Sequence, residues 1–125
     1  MLQDLCPAVY IESSGLAATL QPDSLGCFNQ EGSVMNDMYP LYTNTRGQFL
    51  TPDSLSNPVL DRTRWIVSET ILADITEGTI RNLRYQWDDI HCPYDMLEGW
   101  EVRDPATGSW LTDDTLSVSC VHPHQ

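Results

Sequence analysis

The sequence predicts an all-β fold, an antiparallel sandwich or barrel of about eight to ten short strands. Three observations carry this. Short runs alternate apolar and polar residues with a period of two, as in Val9, Ile11 against Tyr10, Glu12. Eight prolines and seven glycines are spread along the chain, which favours many short elements over a few long helices. The length of 125 residues suits one domain, taken as 1–125 with a core module from about 6 to 120.

The elements follow in order. A first strand is expected over Pro7 to Ser13, ended by Ser13-Ser14-Gly15. After a turn at Gln21-Pro22-Asp23-Ser24, Leu25 to Phe28 reads as a second strand, and Glu31 to Asp37 as loop. Met38 to Tyr42 is a third strand, placed at an edge or bend by Pro40. The turn Thr43 to Gly47 leads to its hairpin partner, Gln48 to Leu50. Residues 51–61 form a surface loop, and Trp65-Ile66-Val67 marks a β-branched, aromatic strand.

Across 70–87 the pattern admits two readings. Ile71, Leu72, Ile75, Ile80, Leu83 and Trp87 suit a short helix, but Gly78 interrupts that spacing and Thr79-Ile80-Arg81 suits a strand, which is the preferred reading. Trp100 and Val102 then alternate with Glu101 and Arg103. The turn Asp104-Pro105-Ala106-Thr107-Gly108 joins this strand to Ser109-Trp110-Leu111. Leu116, Val118 and Cys120 alternate with Ser117, Ser119 and Val121 in a final strand.

Charge narrows the partners. Eighteen acids face six bases, all arginine, for a net charge of -12. A nucleic-acid binder needs the opposite sign, so nucleic acid and anionic membrane surfaces are excluded. No apolar run is long enough to cross a bilayer. Residues Met1 to Leu5 hold no apolar run either, so a signal peptide is expected to have been removed, or the chain to be a piece of a longer protein.

Trp65 and Trp100 each open a strand and are expected to anchor the core. Trp87 and Trp110 serve as core or as a stacking surface for a ligand such as a sugar. Tyr39, Tyr42, Tyr85 and Tyr94 are candidate ligand contacts beside the loops at 31–37 and 51–62, since loops on a rigid β scaffold are where such function usually sits.

Several short motifs occur in a fixed order: Gly26-Cys27-Phe28, Pro40-Leu41-Tyr42, Gly47-Gln48-Phe49-Leu50, Trp65-Ile66-Val67, Cys92-Pro93, Trp100-Glu101-Val102 and a closing Leu116 to Cys120. From Cys6 to Cys120 this resembles a module of secreted and cell-surface proteins of invertebrates and some algae, often present in tandem copies. The resemblance implies an extracellular β-rich domain and supplies no catalytic residue. Cys27 stands where that pattern carries another residue.

Four cysteines, Cys6, Cys27, Cys92 and Cys120, show no zinc-ribbon or redox spacing and are expected in disulfides. A tight hairpin between the first two strands would pair Cys6 with Cys27 and leave Cys92 for Cys120. The rival is Cys6 with Cys120 and Cys27 with Cys92.

A Cys92–Cys120 contact would gather His91, His122, His124 and Asp89, which are ligand types for zinc or copper. The paired carboxylates Asp88-Asp89 and Asp113-Asp114 suit calcium, although no EF-hand frame occurs. For both ions the plainer reading, a terminal tail and solvated acidic loops, is preferred, so no cofactor is expected.

No nucleophile elbow, zincin helix or Walker loop is present, and no lysine. The sequence therefore predicts no catalytic residue. It points to a non-catalytic extracellular module, secreted or part of an ectodomain, for binding, adhesion or assembly. A protein or glycan partner, a homo-oligomer, or tandem copies in a longer parent fit that role. A lectin-like carbohydrate binder and a small hydrolase with acidic catalytic residues are the alternatives.

Overall fold

A computed structural model describes residues 7–35, 39–56, 63–86 and 98–121. Strand β1, Ala8–Glu12, keeps the expected alternation: Val9 and Ile11 are buried and Tyr10 is exposed. The chain then does not turn straight back. Leu16–Leu20 forms a short helix, α1, and Pro22–Ser24 a single 3-10 turn. A helix of one turn has little stability of its own. It is held by packing, with Ala17 buried and Leu20 against the core.

Strand β2, Gly26–Val34, runs well beyond the expected Phe28 and takes in the first half of the predicted 31–37 loop. Strand β3, Tyr39–Thr43, and strand β4, Phe49–Pro52, form a hairpin. Asn44 builds its turn: its side-chain oxygen accepts the Arg46 and Gln48 amides at 3.0 and 2.9 Å. Gly47 supplies the left-handed residue at φ 80°.

Strand β5, Thr63–Ser68, and strand β6, Ile80–Gln86, are antiparallel neighbours. The strand reading of 80–86 holds, and the described part of 70–87 contains no helix; the one α-helix among the described residues is at 16–20. Strands β7, Trp100–Arg103, and β8, Trp110–Thr112, form the predicted hairpin. Asp104 accepts the Gly108 amide at 2.7 Å and donates its own to Ser109 at 2.8 Å. Strand β9, Ser117–Val121, pairs with β1.

The nine described strands form one antiparallel sheet in the order β8-β7-β6-β5-β4-β3-β2-β1-β9. The sheet is curled into a half-barrel rather than split into a sandwich. Connectivity demands the curl. Strands β8 and β9 are the two edges, eight inter-strand steps apart, which is about 38 Å in a flat sheet. Only residues 113–116 join them, and that link spans at most about 18 Å. The edges must therefore approach each other.

The concave face carries the core: Val9, Ile11, Phe28, Tyr39, Tyr42, Leu50, Trp65, Val67, Ile80, Trp100 and Val102. Trp65 and Trp100 are the expected anchors, 0% and 1% exposed. Tyr39 packs edge-on against Trp65 with centroids 6.0 Å apart, and its hydroxyl bonds Thr63. Truncating a buried aromatic of this kind to alanine costs about 3–5 kcal/mol.

Residues 69–79 fold back over the convex face. Ser54 donates its amide to the Ala73 carbonyl at 2.9 Å, and Gly78 lies against Ile66 and the Val67 carbonyl. At one end of the sheet α1 and the 3-10 turn form a plug. Gln21 donates to the Arg103 carbonyl at 2.9 Å, Ser24 meets Thr79 at 2.7 Å, and Asn44 donates to the Asp23 carbonyl at 3.3 Å.

Candidate functional site

Three polar arrangements organise the chemistry of the surface. The first centres on Asp113, in the β8–β9 link, which is 4% exposed. One carboxylate oxygen accepts the Ser13 hydroxyl at 2.7 Å and the Ala17 amide at 2.8 Å. The other accepts the Thr115 amide at 2.9 Å and the Thr115 hydroxyl at 2.7 Å. Burial pushes this carboxyl up, but the hydroxyls of Ser13 and Thr115 and the amides of Ala17 and Thr115 outweigh it and hold the pKa at about 2. With both hydroxyl protons given to the carboxylate, the Ser13 and Thr115 oxygens act as acceptors, taking the Gly15 and Ser14 amides. Clefts of about 290 Å³ open on either side, one at Ser13 and Ser14, the other at Glu98 and Gly99.

The second arrangement is inward-looking. Asp53, fully buried, receives the Arg64 guanidinium at 2.8 and 3.0 Å and the Ser56 hydroxyl at 2.7 Å. On the convex face, Arg81 bonds Glu101 at 2.8 Å and the Ile75 carbonyl at 3.1 Å, and its guanidinium lies 4.0 Å over the Trp110 ring. A stacked cation of this kind is worth about 0.5–2 kcal/mol.

The third is a cleft of about 260 Å³ between the 69–79 connection and the end of β7. Gln48, Ser68, Glu69, Thr70, Glu77, Gly78, Thr79 and Arg103 line it. Arginines 46, 64, 81 and 84 each pair with an acid, whereas Arg103 has no ion pair among the described residues.

Among the described residues, those expected to bind a ligand share no exposed surface. Tyr39 and Tyr42 are fully buried core residues on the concave face, so they offer no surface. Trp110 is half-buried, with one ring face under Arg81. The side chain of Tyr85, and all of Trp87 and Tyr94, lie outside the described residues. Of the two recognition loops, 31–34 is strand, 51–52 is strand, and Asp53 and Ser56 are buried.

Both cysteine pairings need correction at Cys27, which is an exposed free thiol. The β1–β2 register sets Tyr10 opposite Cys27. Cys120 is disulfide-bonded, and its partner lies outside the described residues. Cys6 and Cys92 lie there too, as do the metal candidates His91, His122, His124 and Asp89. No group of three or more metal-ligating side chains occurs among the described residues. Of the Asp113-Asp114 pair considered for calcium, Asp113 accepts hydrogen bonds from the chain itself on both carboxylate oxygens.

Sequence reasoning missed Asp113 as a structural centre and Arg103 as a cation with no ion pair among the described residues. The first depends on contacts 100 residues apart. For the second, the scarcity of bases was the one signal present. Fold and sites together define an all-β domain on a single curled antiparallel sheet. No family model, curated protein or solved structure matches the chain.

Proposed function

We propose that this chain is a non-catalytic extracellular module whose work is binding. The observation that carries the reading is the state of Asp113. It is the carboxylate between two of the clefts, yet it accepts four hydrogen bonds and is held at about pKa 2. A general base or acid works best with a pKa near the operating pH and with a free lone pair or proton. Asp113 has neither, and its neighbours Ser13 and Thr115 have committed their protons to it. They stiffen the scaffold instead of attacking a substrate.

The oxidised Cys120 supports the extracellular part of the reading, because disulfides persist in oxidising compartments. The acidic surface supports it through solubility, and Arg81 over one face of Trp110 disfavours sugar stacking there. The test is to incubate the folded protein with ester, glycoside and peptide substrate panels while following thermal stability. The expected result is no turnover, with a rise in melting temperature for a bound ligand. Turnover that survives purification and is lost on mutating a cleft residue would overturn the reading.

A further inference from the structure

We propose that the cleft between the 69–79 connection and the end of β7 binds a small zwitterion, its carboxylate on Arg103 and Gln48 and its ammonium group on Glu69 and Glu77. This rests on the binding-module reading and names the ligand class. The argument starts from donors without acceptors. The Gln48 side chain is 8% exposed; its oxygen accepts Asn44 at 2.9 Å, but its amide nitrogen has no acceptor among the described residues. The same holds for the Arg103 guanidinium and for the N–H of buried Gly78. A buried polar group left without a partner is unfavourable, so Gln48 and Gly78 call for an acceptor, and the half-buried Arg103 stands with them in the lining. All three residues line the cleft and define a place for an oxyanion there, and a guanidinium with flanking N–H donors fits a carboxylate.

The acidic residues of the same lining decide which carboxylate. Glu69 and Glu77 are exposed and make no ion pair among the described residues. They leave the cleft with one more negative than positive charge, on a protein of net charge -12. A bare anion is repelled by that field, while a ligand with its own ammonium group is drawn in. At about 260 Å³ the cleft lies below the roughly 300–1,000 Å³ of drug-sized sites, which suits an amino-acid-sized ligand rather than an oligosaccharide. Gly78 keeps the wall close: a Cβ there would fall 2.3 Å from the Val67 carbonyl oxygen.

Calorimetric titration of the whole chain with L-lysine is the test, with glutarate and cadaverine as single-charge-type controls. Lysine is expected to bind at least about tenfold more tightly than either control. R103Q is expected to weaken lysine about tenfold or more while leaving the thermal melt in place. The E69Q/E77Q double variant is expected to weaken lysine and to narrow its advantage over glutarate. Cadaverine binding as well as lysine, R103Q binding lysine like the parent, or no heat from millimolar lysine on folded protein each overturns the site. None of these touches the binding-module reading, which fails on catalytic turnover instead.

Discussion

Ser13 and Asp113 meet at 2.7 Å although 100 residues separate them, and their hydrogen bond joins the end of β1 to the link between the two edge strands. Ala17 and Thr115 complete the same carboxylate, so one side chain fastens three chain segments. Replacing Asp113 by asparagine puts an amide NH₂ where the carboxylate received donors. At least two charge-assisted hydrogen bonds are lost, and D113N is expected to cost about 3 kcal/mol in urea unfolding at neutral pH. A loss well under 1 kcal/mol would show that the clasp contributes little.

The same carboxylate sets an acid dependence. Its folded-state pKa, about 2, lies below the ordinary value of 3.8. The unfolded chain therefore binds the proton more readily, and the stabilisation is fully present above about pH 4. It falls away as pH drops from 4 towards 2 and amounts to about 2 kcal/mol for this group. Urea midpoints across that window should fall more steeply for the parent than for D113N, which has no such proton to take up.

Gly78 and Gly47 should respond differently to alanine. At Gly78 the added Cβ meets a backbone oxygen at 2.3 Å and the Ile66 side chain at 2.7 Å, so the 69–79 connection must lift. G78A is expected to cost about 1–3 kcal/mol, the range for overpacking. Gly47 has open space but a φ of +80°, and G47A should cost nearer 1 kcal/mol from backbone strain. Equal costs in chemical denaturation would contradict the close approach at Gly78.

Cys27 and Cys120 should separate chemically. Without reductant, iodoacetamide should alkylate Cys27, exposed and free, and leave Cys120 unmodified, as peptide mass mapping would show. C27S is expected to leave the melting temperature in place, whereas C120S should cost about 2–4 kcal/mol. Protection of Cys27 would return it to a disulfide.

What the sequence made legible was local. The β7–β8 hairpin could be placed because Asp104 and Gly108 bracket it and build the turn themselves. Trp65 and Trp100 could be assigned to the core because large aromatics sat in alternating strands. Residues 16–20 gave no such signal, since one helical turn is too short to show a period and Ala17 is fixed by a distant carboxylate. The direction in which Tyr39 and Tyr42 point was equally hidden. Three residues apart, they do not share a face by a strict period of two, so alternation alone could not bury both. Asp113 looked like half of a solvated acidic pair because its partners lie at the other end of the chain.

The four-residue link from β8 to β9 acts as a ruler. Its length, not side-chain packing alone, sets the greatest distance the two sheet edges can stand apart, much as a bowstring limits the bow. Curvature in this domain is thus written into a segment that contributes no strand. Lengthening that segment past about ten residues would give enough slack for the edges of a flat sheet. Every residue of the core could then remain in its strand while the enclosed hollow, and the plug at its end, lost their shape.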